Sequence, residues 1–114
     1  MKIKNPFFIK QKNIYLFEIL KILKKKNLKK NIKINDISNL INASKNDISF
    51  FNNLKYFELL KKTKAKYIIS SDKYLNLIKN YCEPIIVSNV LNSVYSVTAL
   101  FYPNSLDDVI DFSA

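Results

Sequence analysis

Asn46-Asp47-Ile48-Ser49-Phe50-Phe51-Asn52-Asn53-Leu54-Lys55-Tyr56 is the stretch from which the fold can be read. Ile48 to Phe51 predicts a strand with Ile48 and Phe50 on one face and Ser49 and Phe51 on the other. Asn52 or Asn53 can then cap a helix from Leu54 to about Lys62, with Leu59 and Leu60 turned inward. Two aromatics and an amide thus gather where a strand ends and a helix begins. Such a junction can grip a flat polar ring.

Downstream the pattern repeats. Tyr67-Ile68-Ile69 reads as a compact apolar strand, and Asp72 is placed to cap a helix through Tyr74, Leu75 and Ile78. Pro84 to Val87 forms another strand. Ser88 or Asn89 then opens a last helix in which Val90, Val94, Val97 and Phe101 line one side, stopped by Pro103. This alternation predicts an α/β domain, a small mixed sheet that is at least partly parallel, with flanking helices.

Upstream, Leu16, Ile19, Leu20 and Leu23 recur at helical spacing, which predicts an amphipathic helix from Ile14 to about Lys26 with its lysines suiting the C-terminal dipole. Asn27 to Lys30 is a polar break. Ile32 and Ile34 then alternate with Lys33 and Asn35 as a short half-buried strand, and Asp36 to Lys45 is a looser segment carrying Ile37, Leu40 and Ile41. Residues 1–103 are expected to form one domain. Residues 104–114, with Asp107, Asp108 and Asp111 clustered, read as a linker.

The chain has 114 residues, 48% of them hydrophobic, enough for a single core that buries roughly two thirds of the unfolded surface. The formal net charge of +10 raises nucleic acid or an acidic membrane surface as partner. Every basic residue is lysine, however, and the chain abounds in Lys, Asn, Ile, Phe and Tyr while lacking Gly, Trp and His. That skew fits A- and T-rich coding, and without arginine no bidentate fork for phosphate or guanine exists. Nucleic acid is therefore the less favoured partner. Cys82 is alone, so neither a disulfide within the chain nor a cysteine-pair metal site is expected. Lys10, Lys12 and Glu18 interrupt any signal-peptide core, and no stretch approaches the roughly 20 apolar residues that span a bilayer. A cytoplasmic location and no membrane span are expected.

Open α/β sheets bind ligands beyond the carboxyl ends of their strands. Phe50 lies near such an end and Tyr56 in the first turn of the following helix, so the two rings could sandwich a planar base. Asn53 offers a donor and an acceptor, as the alternating edge of uracil requires. Spacing alone leaves open the plainer reading that Phe50 and Tyr56 are core aromatics and Asn53 only a cap.

Asp47, Ile48, Ser49, Phe50, Asn53, Lys55 and Tyr56 stand in register with a Gly-Asp-Ile-Ser-Phe-x-x-Asn-x-Lys-Tyr pattern. In this the chain resembles the N-terminal uridine-binding domain of UDP-3-O-acylglucosamine N-acyltransferase, which adds the second hydroxyacyl chain in lipid A synthesis. The likeness extends from about Phe7 to Pro103, through Thr63, Ala65, Ile68-Ile69, Ile86-Val87-Ser88-Asn89 and Ala99-Leu100-Phe101-Tyr102-Pro103. The resemblance implies that Phe50 and Tyr56 flank the uracil of a UDP-sugar and that Asn53 hydrogen-bonds it. Where the family commonly has Gly this chain has Asn46, the non-glycine residue that best tolerates a positive φ.

The family's acyl transfer belongs to a following left-handed β-helix of hexapeptide repeats, where a histidine is the general base. This chain has no histidine and ends where that domain is expected to start. The resemblance therefore implies substrate recognition of UDP-3-O-acylglucosamine with no catalytic residue, metal or cofactor here. Acyl carrier protein and a homotrimer are expected of the full-length enzyme, and a monomer of this chain. The UDP-sugar-binding N-terminal domain of a Mur ligase, which has a similar element order, is the alternative in the same ligand class. A small basic nucleic-acid-binding module is the alternative outside it.

Overall fold

A computed structural model describes residues 14–26 and 30–103. The expected linker at 104–114, the start of the likeness at Phe7 and part of the polar break after Lys26 lie outside the described residues. The elements in chain order are β1 (Ile14–Tyr15), α1 (Leu16–Ile22), β2 (Lys33–Ile34), β3 (Asp36–Ile37) and β4 (Asp47–Phe50). A 3-10 turn (Leu54–Tyr56) then leads into α2 (Phe57–Lys62), followed by β5 (Tyr67–Ser70), a second 3-10 turn (Asp72–Tyr74) and α3 (Leu75–Ile78). β6 (Glu83–Ile86) and α4 (Val90–Phe101) close the sequence.

β3, β4, β5 and β6 form a parallel sheet in that order, with Ile37 beside Ile48, Phe50 beside Ile69 and Ser70 beside Ile86. A separate antiparallel pair sets Ile14 of β1 against Ile34 of β2. The mixed α/β architecture is thus the one the alternation predicts. Because side chains alternate across a strand, each parallel strand feeds two cores. Ile48, Ile69 and Ile85 pack on one face with Leu16, Ile19 and Leu20 of α1 and Val90, Val97 and Phe101 of α4. Phe51 and Ile68 pack on the other with Leu60 of α2, Ile78 of α3 and Leu40.

Several elements differ locally from the sequence expectation. Ile14 and Tyr15 are a strand, and the helix starts only at Leu16, because its first N–H groups find partners far along the chain. Leu16 N–H donates to the Ile32 carbonyl at 2.8 Å and Phe17 N–H to Asn31 Oδ1 at 2.8 Å. The helix also ends early. Lys24 has φ 59, its N–H donates to the Lys21 carbonyl at 3.0 Å, and Lys25 N–H reaches back to the Leu20 carbonyl at 2.9 Å. That bond pattern is a Schellman motif with lysine in the position glycine usually takes.

Lys24 is the positive-φ residue among those described, which corrects the expectation at Asn46. There the turn closes through Asp47 N–H on the Ser44 carbonyl at 3.0 Å, without a left-handed residue, and the Asn46 carbonyl accepts from Asn35 N–H at 2.8 Å. At the second 3-10 turn the cap position falls on Ser71, with Asp72 inside the first turn.

At the amino end of the sheet, Asp36 and Asp47 lie side by side on β3 and β4. Asp47 is 7% exposed, and its Oδ2 accepts from Ser44 N–H at 2.8 Å. The Tyr102 hydroxyl, just past α4, donates to the Asp36 carboxylate at 3.0 Å. Burial first, and then the Asp36 charge, push the Tyr102 phenol up to about 12. At the far side of the sheet, Glu83 and Val87 donate their N–H groups to Lys66 and Ser70 carbonyls at 2.7 and 2.9 Å. By alternation the backbone groups of Pro84 and Ile86 turn away from β5, toward the edge that has no partner strand among the described residues, and Pro84 has no N–H to offer there.

Candidate functional site

A cavity of about 340 Å³ opens at the carboxyl ends of the parallel strands. Its walls come from four places in the chain: Asn39 to Ile41 after β3, Phe50 to Asn53 at the end of β4, Tyr56 and Leu59, and Val90 with Leu91 at the start of α4. Phe50, Asn53 and Tyr56, which the sequence singles out, all border it. No charged side chain is among the lining residues.

Each of the three is held by a local device. Phe51 follows Phe50 and points to the opposite face, where it is 1% exposed and meets Tyr74 edge-on at 5.0 Å and 79°. Its N–H donates to the Ile69 carbonyl at 2.9 Å and its carbonyl accepts from Ser70 Oγ at 2.6 Å. These bonds pin the strand end, so the direction of Phe50 is fixed from below. Phe50 itself is half-buried and packs against the α1 and α4 side of the core.

Asn53 is the cap foreseen for this helix start. Its backbone is extended (φ −158, ψ 129), its Oδ1 accepts from Lys55 N–H at 2.9 Å, and its carbonyl accepts from Tyr56 N–H at 3.0 Å. Capping commits part of the oxygen's acceptor capacity and sets the amide's orientation. The amide nitrogen is left as the group with donors to spare, which narrows the donor-and-acceptor reading of Asn53.

Tyr56 is 44% exposed, with Lys55 Nζ 5.3 Å from its ring centroid, a cation–π distance. Lys55 does not line the cavity. Among the described residues Phe50 and Tyr56 make no ring contact with one another, and both line the cavity.

The remaining walls carry no sequence signal of a site. Leu40 and Val90 are buried and belong to the two cores, as their helical or loop periodicity suggests. Ile41 and Leu91 could have been found, because each is a large aliphatic off the buried stripe. They are 70% and 68% exposed at the cavity mouth. Ser70, whose hydroxyl fastens the end of β4, is fully buried and lies one residue past the strand expected at Tyr67 to Ile69.

A family model described as UDP-3-O-(3-hydroxymyristoyl) glucosamine N-acyltransferase, LpxD, matches residues 31–100. The matched segment holds β2 through most of α4 and every wall of the cavity. No curated protein matches the chain. Among the described residues no helix is long and apolar enough to cross a membrane.

Proposed function

Since this chain belongs to the UDP-3-O-(3-hydroxymyristoyl) glucosamine N-acyltransferase family of lipid A biosynthesis, we propose that it recognises the uridine end of a UDP-sugar and takes no part in acyl transfer itself. The observation that supports this reading is the convergence of Phe50, Asn53 and Tyr56 on one uncharged cavity. The two rings would stack on the faces of uracil, a contact worth roughly 1–3 kcal/mol per base. Asn53 Nδ2 would donate to a ring carbonyl, while Oδ1 stays on the Lys55 N–H. Where that carbonyl is O4, cytosine would set its own amino group against the donor, and the site then favours uracil. With no charge in the walls, the phosphates lie outside. This chain has no histidine to act as general base, and the resemblance implies that the family's chemistry belongs to a part of the enzyme beyond this domain. In this reading residues 1–103 are the nucleotide-binding unit and 104–114 connect it onward, in a cytoplasmic enzyme.

An NMR titration tests this. Two stacking faces and one amide contact, less the cost of association, predict UMP affinity of about millimolar. UMP should move the signals of Phe50, Asn53 and Tyr56, CMP should bind more weakly, and Tyr56→Ala should weaken UMP by roughly 5- to 150-fold. Signals that stay still at several millimolar UMP would refute it.

A further inference from the structure

We propose that a second cavity, between the end of α1 and the start of α4, binds a phosphate group. It measures about 430 Å³ and shares no residue with the cavity of Phe50, Asn53 and Tyr56. Lys24 and Lys25 come to it from just past α1, Ser88 and Asn89 from the segment after β6, and Ser93 and Ser96 from α4. No carboxylate is among its lining residues, and neither lysine is in an ion pair among the described residues. Asn89 Oδ1 accepts from Asn92 N–H at 3.0 Å, so the amide nitrogen of Asn89 remains as a donor. Ammonium, amide and hydroxyl groups together suit the oxygens of a phosphate, which lysine binds as a point charge without arginine's fork.

Two observations set this cavity apart from an ordinary lysine-rich surface. Lys24 holds φ 59, a left-handed conformation that is costly to a residue with a Cβ. The chain has no glycine but is rich in asparagine, which tolerates that conformation best after glycine and which A- and T-rich coding supplies as readily as lysine. Neither the turn nor the composition therefore selects lysine at this position, which leaves its side chain as the reason. The second observation is the clustering of charge. From β1 through β2 the described residues include Lys21, Lys24, Lys25, Lys26, Lys30 and Lys33, all exposed, against Glu18 alone. An excess of that kind draws anions to this part of the molecule.

The experiment is an NMR titration of the full chain with inorganic pyrophosphate at constant ionic strength. Saturable shifts are expected at Lys24, Lys25, Ser88, Asn89 and Ser93. Lys24→Asn keeps the left-handed turn while removing the charge, and Lys25→Gln changes an exposed side chain. Each should weaken binding by about 2- to 5-fold, the worth of an exposed ion pair. Lys26→Gln, one residue further but outside the lining, should change it less. Shifts that do not saturate, or a loss in Lys26→Gln equal to that in Lys24→Asn, would reduce the site to a diffuse basic surface and overturn the proposal. Titration with UDP then distinguishes the source of the phosphate. One common midpoint for Tyr56 and Ser88 means that the nucleotide's own diphosphate reaches the site, whereas separate midpoints or an unmoved Tyr56 mean a second phosphate-bearing ligand. The pyrophosphate result does not depend on the uridine reading, which fails separately if Tyr56 stays still.

Discussion

At the amino end of the parallel sheet, Asp47 is buried with its carboxylate receiving Ser44 N–H at 2.8 Å, and Asp36 receives the Tyr102 hydroxyl at 3.0 Å. At the carboxyl end of the same strands, Asn53 keeps its amide nitrogen unused while Ile41 and Leu91 stand in solvent around an open cavity. Two carboxylates side by side repel each other, so that end is stable only when donors are brought to both of them. The opposite end carries no such debt of charge, and its unfilled hydrogen-bonding and apolar surface is what a ligand can complete. Order is spent at one end and withheld at the other.

The largest blow to this contrast should come from Phe51→Ala. Deleting a ring that is 1% exposed beneath the site should cost about 3–5 kcal/mol in denaturant unfolding. Phe50→Ala, one residue earlier and only half-buried, should cost less stability yet remove a stacking face. Equal unfolding midpoints for the two variants would mean that the two cores lean on these two rings alike.

Next in size is Asp47→Ala at the closed end. It orphans Ser44 N–H and should destabilise by about 1–3 kcal/mol, with UMP affinity at the far end unchanged. A parallel loss of UMP binding would show the two ends to be coupled rather than separate.

The smallest effect is expected from Tyr102→Phe, read against pH. The folded phenol titrates at about 12 and the unfolded one near 10. The unfolded chain therefore releases its proton first, and the stability this group contributes is intact below pH 10 and lost as the pH rises from 10 to 12. Thermal unfolding of the Phe variant should fall less steeply across that window. Two parallel curves would show that neither burial nor Asp36 holds the phenol up.

Sequence pattern is most legible where a contact is local. The period-two alternation of Ile48, Ser49, Phe50 and Phe51 gives β4 and its two faces, and Asn53 two residues before Lys55 gives the cap. The stripe Val90, Val94, Val97 and Phe101, halted before Pro103, gives α4. Legibility fails where partners are distant. Ile14 and Tyr15 have helical spacing behind them, but pairing with Lys33 and Ile34 makes them a strand. Asn31 settles where α1 begins from 14 residues away. The site follows the same rule. Phe50, Asn53 and Tyr56 lie within seven consecutive residues and can be read directly, whereas the aliphatic lining comes from the segment after β3, from α2 and from the start of α4, which meet only when the sheet forms.

The outward-facing Pro84 has a consequence for the molecule's company. An unpaired sheet edge is a template for polymerisation, since any extended segment that arrives can exchange donors and acceptors along it. On β6 an incoming strand would meet a pyrrolidine ring and a carbonyl where it needs an N–H, so the ladder could not propagate past that residue. A chain with 48% hydrophobic residues thus carries, in one imino acid, a stop against growing its sheet into its neighbours.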